Sequence, residues 1–167
     1  EMALAHLEQR GYRDVLLVTE PYDGTSSRIE RVSSFQAQLQ QRSALNGAVV
    51  ETGDDLATHL QTFLHKPDLG PKALFCANGV AALAATHALR KIGSRLFEDI
   101  GLIALDDLDW YPLVGSGITA LAQPTEAIGA RAFECLLKRL RGDDEAARVV
   151  DFGPVLVVRG STLGVLQ

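Results

Sequence analysis

Short apolar runs alternate with amphipathic stretches along this chain. Asp14 to Thr19 holds the continuous run Val15-Leu16-Leu17-Val18, and Lys72 to Ala77 and Ile100 to Leu105 are similar. Runs of this length without polar alternation fit strands buried on both faces, as in a parallel sheet. Ala48 to Val50, Gly117 to Ala122, Val149 to Phe152 and Val155 to Val158 are further strand candidates. Between them lie stretches with apolar positions every three or four residues. Arg28 to Gln41 carries Ile29, Val32, Phe35 and Leu39; Asp54 to His65 carries Leu56, Leu60, Phe63 and Leu64. That spacing makes one apolar helical stripe. Met2 to Arg10, Gly79 to Ile92 and Pro124 to Leu140 complete the helices, with Gly11, Gly93 and Gly142 as stops. Glu20 to Ser27, rich in Pro, Gly, Asp and Ser, is a loop.

Alternating strands and helices with short connections predict right-handed βαβ units. The fold class is therefore α/β, a parallel sheet with helices on both faces. In such sheets ligands bind in the crevice beyond the carboxyl ends of the strands. That rule selects side chains. Thr19, Glu20 and the loop to Ser27 follow the first strand and lead to Arg28 and Arg31. Asn78, Asp106 with Asp107, and Gln123 follow later ones. Amides, hydroxyls, carboxylates and guanidinium groups suit a polyhydroxylated ligand or a small acid. Each has a plainer role open to it. Asn78 can cap the helix behind it. Asp106 and Asp107 can form a solvated turn. Arg28 and Arg31 can lie on a wet helix face paired with Glu30. The expected contacts are Arg31, Asn78, Asp106 and Gln123, then Ser27 and Arg28.

Composition narrows the function. Among 167 residues, 16 are Lys or Arg and 21 are Asp or Glu, so the formal charge is −5. An acidic balance does not suit a surface that grips phosphate backbone. No apolar stretch reaches membrane-spanning length. Cys76 and Cys135 lie far apart with no CxxC or Cys/His metal spacing, which favours two reduced thiols. GxGxxG, GxxxxGK[ST] and GxSxG are absent, and His6, His59, His65 and His87 all fall in helical patterns away from strand ends. No enzyme chemistry and no cofactor are expected.

The ordered segments resemble the LacI/GalR family of bacterial repressors. Arg31-Val32-Ser33-Ser34-Phe35 is similar to that family's arginine-led helical turn. Ala73 to Asn78 followed by Ala81, Leu83 and Ala84 is similar to its strand, Asn/Asp and small-residue helix. Asp99 to Asp107, Ile118 to Pro124 with Ile128-Gly129, and Arg159-Gly160-Ser161-Thr162 match later segments in order. Ala104 and Leu105 depart from the usual Gly and aromatic. Asp109 to Gly115 resembles members that respond to sugar acids.

The resemblance implies a periplasmic-binding-protein-like lobe. Residues 1–122 would form the second lobe of an effector-binding domain, 123–158 a return segment into the first lobe, and 159–167 a C-terminal tail. The opening Glu1-Met2-Ala3-Leu4, already helical, fits a piece of a longer protein. The implied partners are a sugar or sugar-acid effector, DNA through a separate helix-turn-helix head, and a second copy in a homodimer. The implied location is the cytoplasm. A periplasmic sugar-binding protein and a small α/β enzyme are the rival readings.

Overall fold

The computed structural model describes residues 1–67 and 70–164. Its elements run α1 (Met2–Gln9), β1 (Asp14–Thr19), α2 (Ser26–Gln40), β2 (Asn46–Glu51), α3 (Leu56–His65), β3 (Lys72–Cys76), α4 (Gly79–Lys91), β4 (Gly101–Leu105), β5 (Thr119–Ala122), α5 (Thr125–Leu140) and β6 (Val155–Val157). Short 3-10 turns span Tyr111–Leu113 and Gly160–Thr162. The strands form one sheet in the order β2-β1-β3-β4-β5-β6. The first five are parallel, and β6 pairs antiparallel with β5.

Successive side chains of a strand point to opposite faces, and the sheet therefore separates two cores. One holds Leu16, Val18, Leu74, Cys76, Leu102 and Ala104 against α3 and α4. The other holds Val15, Leu17, Ala73, Ile103 and Leu121 against α1 and α2. Every residue of β1 is buried, as its unbroken apolar run requires. Helix α4 packs closely on the sheet because Ala81, Ala82, Ala85 and Ala88 line its inner side.

Two expectations need correction. Val149 to Phe152 is not a strand. Val149 is 90 % exposed and Val150 44 %, with no neighbouring strand among the described residues. Apolar alternation without a pairing partner does not make a strand. Helix α2 opens at Ser26, two residues before Arg28, so Ser27 and Arg28 both lie in its first turn.

The closing segment is tied to the sheet by buried hydroxyls. Ser161 Oγ donates to Leu102 O and accepts from Thr119 N–H. Thr162 Oγ1 shares hydrogen bonds with Thr119 Oγ1 and His6 Nε2, each at 2.8 Å.

Candidate functional site

The chain runs from β1 through α2 to β2 on one side, then crosses to β3 on the other. The gap between the ends of β1 and β3 is thus the place where the strand order reverses. In open α/β sheets that crevice binds ligands. The register aligns Val18 with Cys76, Cys76 with Ala104, and Ala104 with Ala120. Two residues beyond the first three stand Glu20, Asn78 and Asp106, a polar row across the mouth of the sheet.

Asn78 does both things open to it. Its Oδ1 accepts from Ala81 N–H at 2.9 Å and caps α4, while Nδ2 donates to Glu20 Oε2 at 2.7 Å. The same carboxylate oxygen lies 2.8 Å from Arg28 Nη2. Arg28 also donates to Pro21 O. Its ion-pair partner is Glu20 and not Glu30, the helix neighbour offered by the plainer reading. Arg31 Nη1 donates to Ala77 O at 3.2 Å, so its guanidinium reaches the strand end just before Asn78.

At the other end of the row, Asp106 has φ = 66°, a left-handed conformation that Asp tolerates better than most side chains. Its N–H donates to Leu121 O. Its Oδ1 accepts from Gln123 Nε2 at 2.5 Å. Asp107 takes no part in this pair and holds a bidentate ion pair with Arg159, at 2.7 and 2.9 Å. Arg159 Nη1 also donates to Ile118 O. The pair with Asp107 holds the Arg159 guanidinium above its ordinary pKa.

The structure thus joins Asn78 to Arg28 through Glu20, and Asp106 to Gln123 directly. Ser27 and Arg31 border an open cavity of about 390 Å³ with Ala77, Leu105 and Leu121. That cavity lies on the α1/α2 face and is mostly apolar. Glu20, Asn78 and Asp106 are not part of its lining. Sequence reasoning placed Glu20 beyond β1 but left it out of the expected contacts, and it missed Arg159 as a site member. Arg159 lies 52 positions from Asp107, and no local pattern announces that pair.

Among the described residues no group of three His, Cys, Asp or Glu is placed to hold a metal ion. None of the described helices is long and apolar enough to cross a membrane.

A polar, hydrogen-bonding row at the switch point of an α/β sheet is the arrangement in which such folds hold small polar metabolites. Residues 4–162 match the model of the periplasmic binding protein-like domain, and the chain belongs to that family. The sequence is similar to the HTH-type transcriptional regulator PtxS of Pseudomonas aeruginosa, 62 % identical over 162 residues, covering 97 % of this chain and 48 % of that protein. It is also similar to the HTH-type transcriptional regulator KdgR of Bacillus subtilis, 33 % identical over 164 residues, covering 95 % and 48 %. The chain spans about half the length of the curated relatives it matches. A dimeric Lac repressor structure superposes with TM-score 0.76 at 21 % identity, covering 96 % of this chain and 59 % of that one. The LacI-type resemblance of the sequence motifs and the periplasmic-binding-protein-like fold therefore hold.

Proposed function

We propose that this chain is the effector-sensing lobe of a DNA-binding transcriptional repressor of the LacI type. The observation that carries the reading is the polar row at the switch point, in a chain 62 % identical to a transcriptional regulator. The effector is a sugar or, by preference, a sugar acid. It is held by Arg31, Asn78, Asp106 and Gln123, with Ser27 and Arg28 contributing less. Arg31 would take the carboxylate through charge-assisted hydrogen bonds, and the Asp106–Gln123 pair would serve hydroxyl groups. The protein works in the cytoplasm, as an enzyme-free switch without a cofactor. A periplasmic transport role is not favoured by relatives that are named as regulators.

The segment 123–158 leaves the sheet through α5 and rejoins it at β6. No residue of α5 is buried, and Phe133, Leu136 and Leu140 are exposed. We propose that this segment passes through a first lobe, which covers that face. Effector binding would then bias closure of two lobes and the spacing of two DNA-binding heads in a homodimer. Val80 and Leu83, exposed in the first turns of α4, support self-association of this lobe.

The test is operator binding by the full-length protein titrated with D-gluconate. Coupling of this kind changes affinity by about 5- to 150-fold. Equal operator affinity with and without saturating sugar acid or neutral hexose would refute the reading. Tighter binding of D-glucose than of D-gluconate, or no loss of gluconate binding in Arg31→Gln, would refute the preference for acids.

A further inference from the structure

Glu20 occupies the switch point itself, and both neighbouring polar groups depend on it. Its Oε2 accepts from Asn78 Nδ2 and pairs with Arg28 Nη2. Asn78 Oδ1 is meanwhile fixed by Ala81 N–H. A flipped amide would set its oxygen against the carboxylate and its NH₂ against the helix N–H. The Asn78 orientation is therefore locked from both sides, leaving one N–H for a ligand. Arg28 has its charge matched by Glu20 and a further bond to Pro21 O. Arg31 makes no ion pair among the described residues and donates to one carbonyl oxygen. Glu20 Oε1 accepts no protein hydrogen bond among the described residues.

We propose that Glu20 is the specificity-determining residue that limits this site to ligands with one carboxylate. The inference rests on the effector-site reading above. With Arg28 masked, Arg31 is the cation beside the row left without an ion pair among the described residues. One carboxylate finds a partner there. A second carboxylate reaching towards Arg28 meets the Glu20 carboxylate and is repelled. A hydroxyl in the same place donates to Glu20 Oε1. The ligand class is a monocarboxylic sugar acid, and the dicarboxylic counterpart of equal length is excluded. Glu20 also acts as a positioning residue, because it holds the Asn78 amide as a donor.

The experiment compares D-gluconate and D-glucarate by calorimetric titration of the full-length protein, as wild type, Glu20→Gln, Arg28→Gln and the double variant. Wild type is expected to favour gluconate by about tenfold or more, and Glu20→Gln to raise the glucarate-to-gluconate affinity ratio by about tenfold through the unmasked Arg28. That gain is expected to vanish in the double variant. Equal wild-type affinities, an unchanged ratio in Glu20→Gln, or a gain that survives removal of Arg28 would each overturn the proposal. The side-chain amide resonances of Asn78, followed without ligand in ¹⁵N-asparagine-labelled protein, test the positioning role separately. They are expected to keep protection in Glu20→Gln, whose carbonyl still accepts, and to lose it in Glu20→Ala. Equal protection in all three overturns it. If no sugar acid or neutral hexose binds wild type, the effector reading fails and takes the carboxylate limit with it, while the amide signals still decide whether Glu20 orders Asn78.

Discussion

Gly101 shows how one missing methyl group sets local packing. A Cβ there would lie 2.4 Å from Tyr12 Cζ and Oη. Tyr12 is buried, and that burial pushes its phenol pKa up to about 12. The ring packs in the core between α1 and the sheet. Gly101→Ala is expected to destabilise the lobe by about 1–3 kcal/mol, the usual cost of overpacking. Thermal denaturation checks it, and Tyr12→Ala in the same chain should absorb the penalty. An unchanged melting temperature would mean that the ring has room to move. At this scale the candidate site was half legible. Asn78, Asp106 and Gln123 announce themselves as the first polar residues after apolar runs. Arg28 does not announce its partner, since Glu30 lies close by in sequence while the end of β1 supplies Glu20.

Elements were more legible than their ties. The run Val15 to Val18 identified β1 because a strand buried on both faces leaves no polar alternation to confuse it. Val149 to Phe152 looked similar and failed, since a strand also needs a neighbour, which sequence spacing does not reveal. The ties between α1, β5 and the closing turn were invisible for the same reason. His6 is buried and bonded to Thr162, 156 positions away. Burial, and then the nearby charge of Arg10, lower its pKa below the ordinary value of 6.5. The unfolded chain thus binds the proton more readily than the folded one. Stability contributed by neutral His6 is full above about pH 6.5 and declines as pH falls towards the folded pKa. Denaturant melts from pH 8 to 5 are expected to show this decline, and His6→Gln is expected to flatten that part of it. An identical slope in His6→Gln would assign the acid sensitivity to other groups.

For the whole molecule, the two cores on opposite faces of the sheet account for α1 to α4, and α5 stands apart from both. Its sequence carries an amphipathic stripe as clear as that of any buried helix. The prediction of a helix was correct, and what covers its stripe lies in no residue described here. If a first lobe covers it, Phe133→Ser in the full-length protein should cost about 1–3 kcal/mol. Phe133 is 61 % exposed among the described residues, where the same change has little packing to remove. Calorimetry on the full-length protein distinguishes the two, and no change in its melting temperature would leave α5 facing solvent.

The hydroxyl stitch at the closing turn has a consequence for synthesis. A chain leaving the ribosome completes β1 to β5 long before Ser161 and Thr162 appear. Until then Thr119 N–H and Leu102 O, both inside the finished fold, have no Ser161 to satisfy them. Nor is β5 yet covered by β6, so its edge is open to any passing strand. The nascent fold must therefore wait in an unfinished state for Ser161 and Thr162. Its exposure to misassembly is set by the pace of translation over α5 and the stretch that follows.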